Sequence, residues 1–156
     1  MAIVGDTPAL IRGQILGTAT NDSAAADYVG EYVTATLTFA SRTALSTTVA
    51  KNITSMSLTA GDWDVSTVGY IRLANTTNMV YAEIGLNTVS ATQPSTEGTF
   101  NSFGPLVASA NINLSGSTSG YRLSLNATTT VYLIATSAFS ASTIEAWGWI
   151  AARRLR

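Results

Sequence analysis

The pair of residues best placed for chemistry is Asp62 and Asp64, flanking Trp63. On an extended strand, positions i and i+2 project to one face, so the two carboxylates are candidates to share a cation or a proton. A calcium site needs further oxygen ligands, and spacing alone assigns none. The simpler expectation is that Asp62 supports the turn after Gly61 while Asp64 is solvated. Around this pair the catalytic repertoire is thin. Histidine and cysteine are both absent, which removes the usual general base, the commonest metal ligand and thiolate chemistry together. Serine is abundant, but no Gly-x-Ser-x-Gly elbow is present, and neither is a Walker A loop or a Gly-x-Gly-x-x-Gly fingerprint. Glycosidase chemistry needs only two carboxylates, yet Asp62 and Asp64 next to a turn are poorly placed to line a cleft. The expectation is a non-enzyme with no cofactor and no metal.

Arg153, Arg154 and Arg156 form the only basic cluster. Arginines at a chain end are expected to be solvated or paired across a subunit interface. The net charge of −1 gives no general attraction for nucleic acid or an anionic membrane surface. No window approaches 18 consecutive apolar residues, so no helical membrane span is expected, and the first residues lack the pattern of a secretory signal. Apolar residues make up 46% of the 156-residue chain, enough to fill one core. Charged residues are only 11%, so Ser, Thr and Asn must keep the surface wet. That balance suits a subunit partly covered by others.

The elements follow from a period of two. Val33, Ala35, Leu37 and Phe39 alternate with threonines, the pattern of a half-buried strand. Val80, Ala82, Ile84 and Leu86 repeat it, as do Tyr121, Leu123 and Leu125. Further strands are expected near 45–49, 52–58, 63–73, 129–136 and 143–152. Turn signals stand at Ala60-Gly-Asp62, Asn75-Thr-Thr-Asn78 and Gly116-Ser-Thr-Ser-Gly120. Residues 88–119 read as long loops with one short strand. The fold class is all-β: a β-sandwich of jelly-roll or Greek-key type over 31–156, preceded by an extended N-terminal arm over 1–30.

Two strands break the alternation. Val131 to Ala135 and Ile144 to Ala151 are apolar on both faces, whereas a strand of a two-layer sandwich turns one face to water unless something covers it. Tyr132, Ile134, Trp147 and Trp149 are therefore the candidate oligomer-interface residues. Coverage by the arm or by the 88–119 loops is the competing explanation.

Four blocks carry a resemblance. They are Gly13-Gln-Ile-Leu-Gly-Thr-Ala-Thr-Asn-Asp-Ser-Ala-Ala-Ala with Val29-Gly-Glu-Tyr, Ser57-Leu-Thr-Ala-Gly-Asp-Trp-Asp-Val, Tyr121-Arg-Leu-Ser-Leu-Asn-Ala-Thr-Thr-Thr-Val-Tyr-Leu, and the closing Ala152-Arg-Arg-Leu-Arg. Together they resemble a module of tailed-phage and prophage virion surface proteins. The resemblance implies a virion structural protein on the outer surface of capsid or tail, with sandwiches of this kind often trimeric. The expected partners are copies of itself and other virion proteins, a major capsid protein or tail components. A short arm and one compact sandwich favour a homotrimeric capsid decoration or cement protein. The alternative is the receptor-binding tip of a tail fibre or spike, with residues 88–119 contacting host glycan.

Overall fold

The computed structural model describes residues 24–156. Ten strands appear in chain order: β1 Tyr32–Leu37, β2 Thr43–Ala44, β3 Lys51–Leu58, β4 Gly61–Leu73, β5 Asn78–Asn87, β6 Phe100–Phe103, β7 Leu106–Val107, β8 Ile112–Leu125, β9 Thr129–Ser140 and β10 Ile144–Arg154. They form two antiparallel sheets. The first runs β1-β10-β4-β8, with β2 added beside β10; the second runs β3-β9-β5-β6, with β7 added beside β5. First pairs with last, β3 with β9, β4 with β8, β5 with β6, as though one long hairpin were rolled across both layers. That order is a jelly roll, the more specific of the two expected sandwich types.

The alternating residues supply the core. Val33, Ala35 and Leu37 of β1 pack inward, as do Ile71 and Leu73 of β4 and Ile144, Ala146, Ile150 and Ala152 of β10. Facing them from the second sheet are Met56, Leu58, Met79, Ala82, Ile84, Val131, Leu133 and Ala135. Across the middle of the first sheet, Gly148, Gly69 and Gly116 are register partners in one row. A Cβ on Gly148 would meet Leu133, one on Gly69 would meet Ile84, and one on Gly116 would lie 2.7 Å from Asn101. The glycine row is thus a slot into which three side chains of the second sheet fit, and it brings the layers close at mid-strand.

Several expected boundaries move, each for a local reason. Residues 45–49 are not a strand; a single bridge between Ser46 and Val49 closes a turn there. The segment 88–119 holds β6, β7 and the start of β8, more order than the expected loops. Gly116-Ser-Thr-Ser-Gly120 is no turn but lies inside β8: Gly116 serves close packing, and Gly120 has φ +69° beside the irregularity between Val65 and Thr67. In β5 a bulge between Met79 and Tyr81 shifts the phase, burying Met79 and leaving Val80 60% exposed. β1 stops at Leu37, and a 3-10 turn over Phe39–Ser41 takes Phe39 out of the alternation that seemed to place it inward.

Of the expected arm, residues 1–23 lie outside the described residues. Residues 24–30 are turned, not extended: Tyr28 N–H donates to Ala25 O, and Gly30 N–H to Arg154 O.

Candidate functional site

The outer face of the first sheet carries the apolar residues that the core does not use. In β10 the odd positions point away from the core, so Glu145, Trp147, Trp149, Ala151 and Arg153 share that face. Pairing sets their neighbours. Trp147 is opposite Tyr70 of β4, and Trp149 lies between Thr36 of β1 and Val68 of β4. The Trp147 and Tyr70 rings stack, centroids 5.1 Å apart and 9° from parallel. Phe39 meets Trp147 edge-on at 5.1 Å and 82°. Both geometries are favoured by ring quadrupoles.

Phe39 is in turn bracketed by cations. The Arg42 guanidinium lies 4.5 Å from its ring centroid and that of Arg72 5.5 Å. Arg42 also donates to Glu145 at 2.6 Å and to Phe39 O at 3.0 Å, which fixes the 3-10 turn onto the start of β10. Both tryptophans remain partly accessible and Phe39 is 47% exposed. The result is an aromatic strip rimmed by Arg42, Glu145 and Arg72 at one end and by threonines and serines along β1 and β8. Each large aromatic has about 150–250 Å² to bury, so further covering of the strip is worth about 1–2 kcal/mol per ring.

The four candidate interface residues do not form one patch. Trp147 and Trp149 are on the first sheet, whereas Tyr132 and Ile134 are on the outer face of the second, across the whole sandwich. Ile134 is fully buried within the chain. Its register partners are Asn52 and Gly85. Gly85 leaves space that Phe100 crowds from β6. Asn52 holds the loop after β5 across this face, its amide donating to Ser90 Oγ and accepting from Ala91 N–H, both at 2.7 Å. The chain's own loop therefore covers Ile134. Tyr132, between Ser55 and Asn87, is partly buried. The aromatic partners Phe39 and Tyr70 were not singled out from sequence. Finding Tyr70 required the β4–β10 register, and finding Phe39 required the break in β1.

Of the acidic pair, it is Asp62 that departs from the expected turn-supporting role. Asp62 and Asp64 do share the outer face of β4, but Asp62 is buried and bonded. Arg122 donates to its Oδ2 at 2.8 Å, and Arg156 pairs with the same oxygen. The Arg122 guanidinium, with smaller help from the nearby Ser124 hydroxyl and Arg156, holds the carboxyl down to a pKa of about 2, against the opposing cost of burial. A carboxylate so held stays ionised at neutral pH and cannot deliver a proton as a general acid. No cluster of three metal-ligating side chains occurs among the described residues.

Of the C-terminal arginines, Arg153 and Arg156 are exposed as expected, whereas Arg154 is not. Arg154 is an inward-facing hub, 4% exposed. Its guanidinium donates to Glu31 at 2.9 Å, Asp27 at 3.1 Å and Ala60 O at 2.8 Å, pairs with Thr59 Oγ1, and lies 4.3 Å from the Trp63 ring centroid. Within the chain, it locks the turn at 24–30 to the β3–β4 corner. No protein-family model, curated protein or solved structure matches the chain.

Proposed function

We propose that the chain is a non-enzymatic structural protein of a tailed-phage virion, a homotrimeric decoration or cement protein seated on the particle surface. The observation that carries this reading is the partly accessible strip of Phe39, Trp147, Tyr70 and Trp149. Aromatic anchors ringed by polar residues are the make-up of interface cores. The low charge and the sequence blocks that resemble phage surface modules point the same way, and jelly rolls recur in viral coats. Contacts repeated around a symmetric ring would add many small burial gains. The test is occupancy on particles prepared without this protein. Wild type is expected to saturate them, Trp149→Ser with Phe39→Ser to lose occupancy at least tenfold, and Ser55→Arg on the opposite face to bind as wild type. Full occupancy by the double variant contradicts the reading.

One observation favours the second reading, a receptor-binding tip that contacts host glycan. The loop after β5 is held at Ser90 by Asn52 and at Thr92 by Asn87, beside an open cleft.

A further inference from the structure

We propose that this cleft, between the 88–99 loop and the inward face of β8, binds a single uncharged sugar residue, such as the end of a glycan chain. The inference extends the receptor-tip reading and is independent of the docking strip. The cleft has a volume of about 110 Å³. That is below the roughly 300–1,000 Å³ of pockets for drug-sized molecules, so it admits one ring or part of one. Among its lining residues, Leu86, Pro94 and Leu123 are apolar and Ser95, Thr96 and Tyr121 carry hydroxyls. A sugar ring presents the matching pattern, a patch of C–H groups edged by hydroxyls.

Charge narrows the class further. None of the lining side chains is ionisable near neutral pH. The only charged residue of the loop, Glu97, is adjacent to Thr96 and disfavours an acidic sugar.

The loop is already shaped. Asn87 accepts from Val89 N–H at 3.1 Å and donates to Thr92 O at 2.9 Å, while Leu86 N–H donates to Thr99 O at 2.7 Å. Ala91 sits at φ +49°, uncommon for a residue with a Cβ, and its N–H is held by Asn52. Little ordering is left for a ligand to impose, which favours weak but measurable binding by a small molecule.

The experiment is an amide-resolved NMR titration of the full chain with glucose, galactose, N-acetylglucosamine and, as the acidic control, N-acetylneuraminic acid. Millimolar amounts of at least one neutral sugar are expected to shift the amides of Thr88, Ser95, Thr96 and Thr99, and the acidic sugar to shift them at least threefold less. Ser95→Trp, at an exposed loop position, is expected to abolish the shifts while keeping a dispersed spectrum; Thr96→Arg serves if that variant does not fold. Absence of shifts from all three neutral sugars overturns the proposal. So do shifts that survive both blocking variants, or that centre on Trp147 and Tyr70. A Ser/Thr-rich peptide that shifts these amides where sugars do not assigns the cleft to a protein partner and overturns it too. Particle occupancy of Ser95→Trp is expected to match wild type, so failure here leaves the docking proposal to its own test.

Discussion

The two outer faces of this sandwich start from similar sequences and end in different states. Strands β9 and β10 are both apolar on both sides, and each supplies its outer face with residues that have no place in the core. On the second sheet the loop after β5 folds back, Asn52 anchors it, and Ile134 disappears from solvent. On the first sheet the only cover among the described residues is a one-turn 3-10 segment, and Phe39 shields Trp147 while remaining 47% exposed itself. Two-faced apolarity is therefore a demand for cover, and a partner is only one way to meet it. Among the described residues, what separates the faces is the chain available nearby: the β5–β6 connection is long enough to lie across β9, whereas the connection from β1 to β2 is short.

The contrast breaks most directly at the two buried sites, each satisfied within the chain. Arg154→Met leaves Glu31 with its carboxylate largely desolvated and frees the turn at 24–30, and is expected to cost about 3 kcal/mol in urea unfolding. Ile134→Ala is expected to cost about 2–4 kcal/mol by the same measurement, the range for a sealed aliphatic side chain. A loss below about 1 kcal/mol at Ile134 would mean that its cover is loose and that the two faces are alike. Next comes Gly69→Ala, which forces Ile84 out of the glycine slot and is expected to cost about 1–3 kcal/mol. Trp149→Ser, on the partly open face, is expected to change the stability of the isolated subunit by only about 1 kcal/mol.

The last effect is electrostatic and is read from pH dependence. The Asp62 pKa is depressed from about 3.8 to about 2, so the folded state holds its proton less tightly than the unfolded chain. The associated stabilisation is complete above pH 4 and fades as pH falls toward 2. Asp62→Asn is expected to lower stability above pH 4, to flatten the profile between pH 4 and 2, and to leave the slope elsewhere unchanged.

Much of this fold was legible from alternation. β3, β4, β5, β9 and β10 lie close to where the period-two runs put them, since one face of each is core and pattern follows burial. The misses share a cause. Glycine signals both turns and close packing, and at Gly116 the distinction depends on Asn101 arriving from the other sheet. A bulge at Met79 turns Val80 outward while Ala82, Ile84 and Leu86 stay inward, and nothing local announces it. Arg154 looked like a solvated chain end because its counter-ions, Asp27 and Glu31, are 127 and 123 residues away along the chain. The aromatic strip was half legible: the two tryptophans stood out, but Tyr70 joins them through strand register and Phe39 through the turn that ends β1.

Sedimentation equilibrium at micromolar concentration tests the central claim, that the face carrying the tryptophans needs an outside partner while the opposite face does not. The wild-type chain is expected to sediment at three times its 16.2 kDa mass, and a folded Trp147→Ser, Trp149→Ser variant at 16.2 kDa. A wild-type chain that stays at 16.2 kDa, or a trimer indifferent to both substitutions, contradicts it.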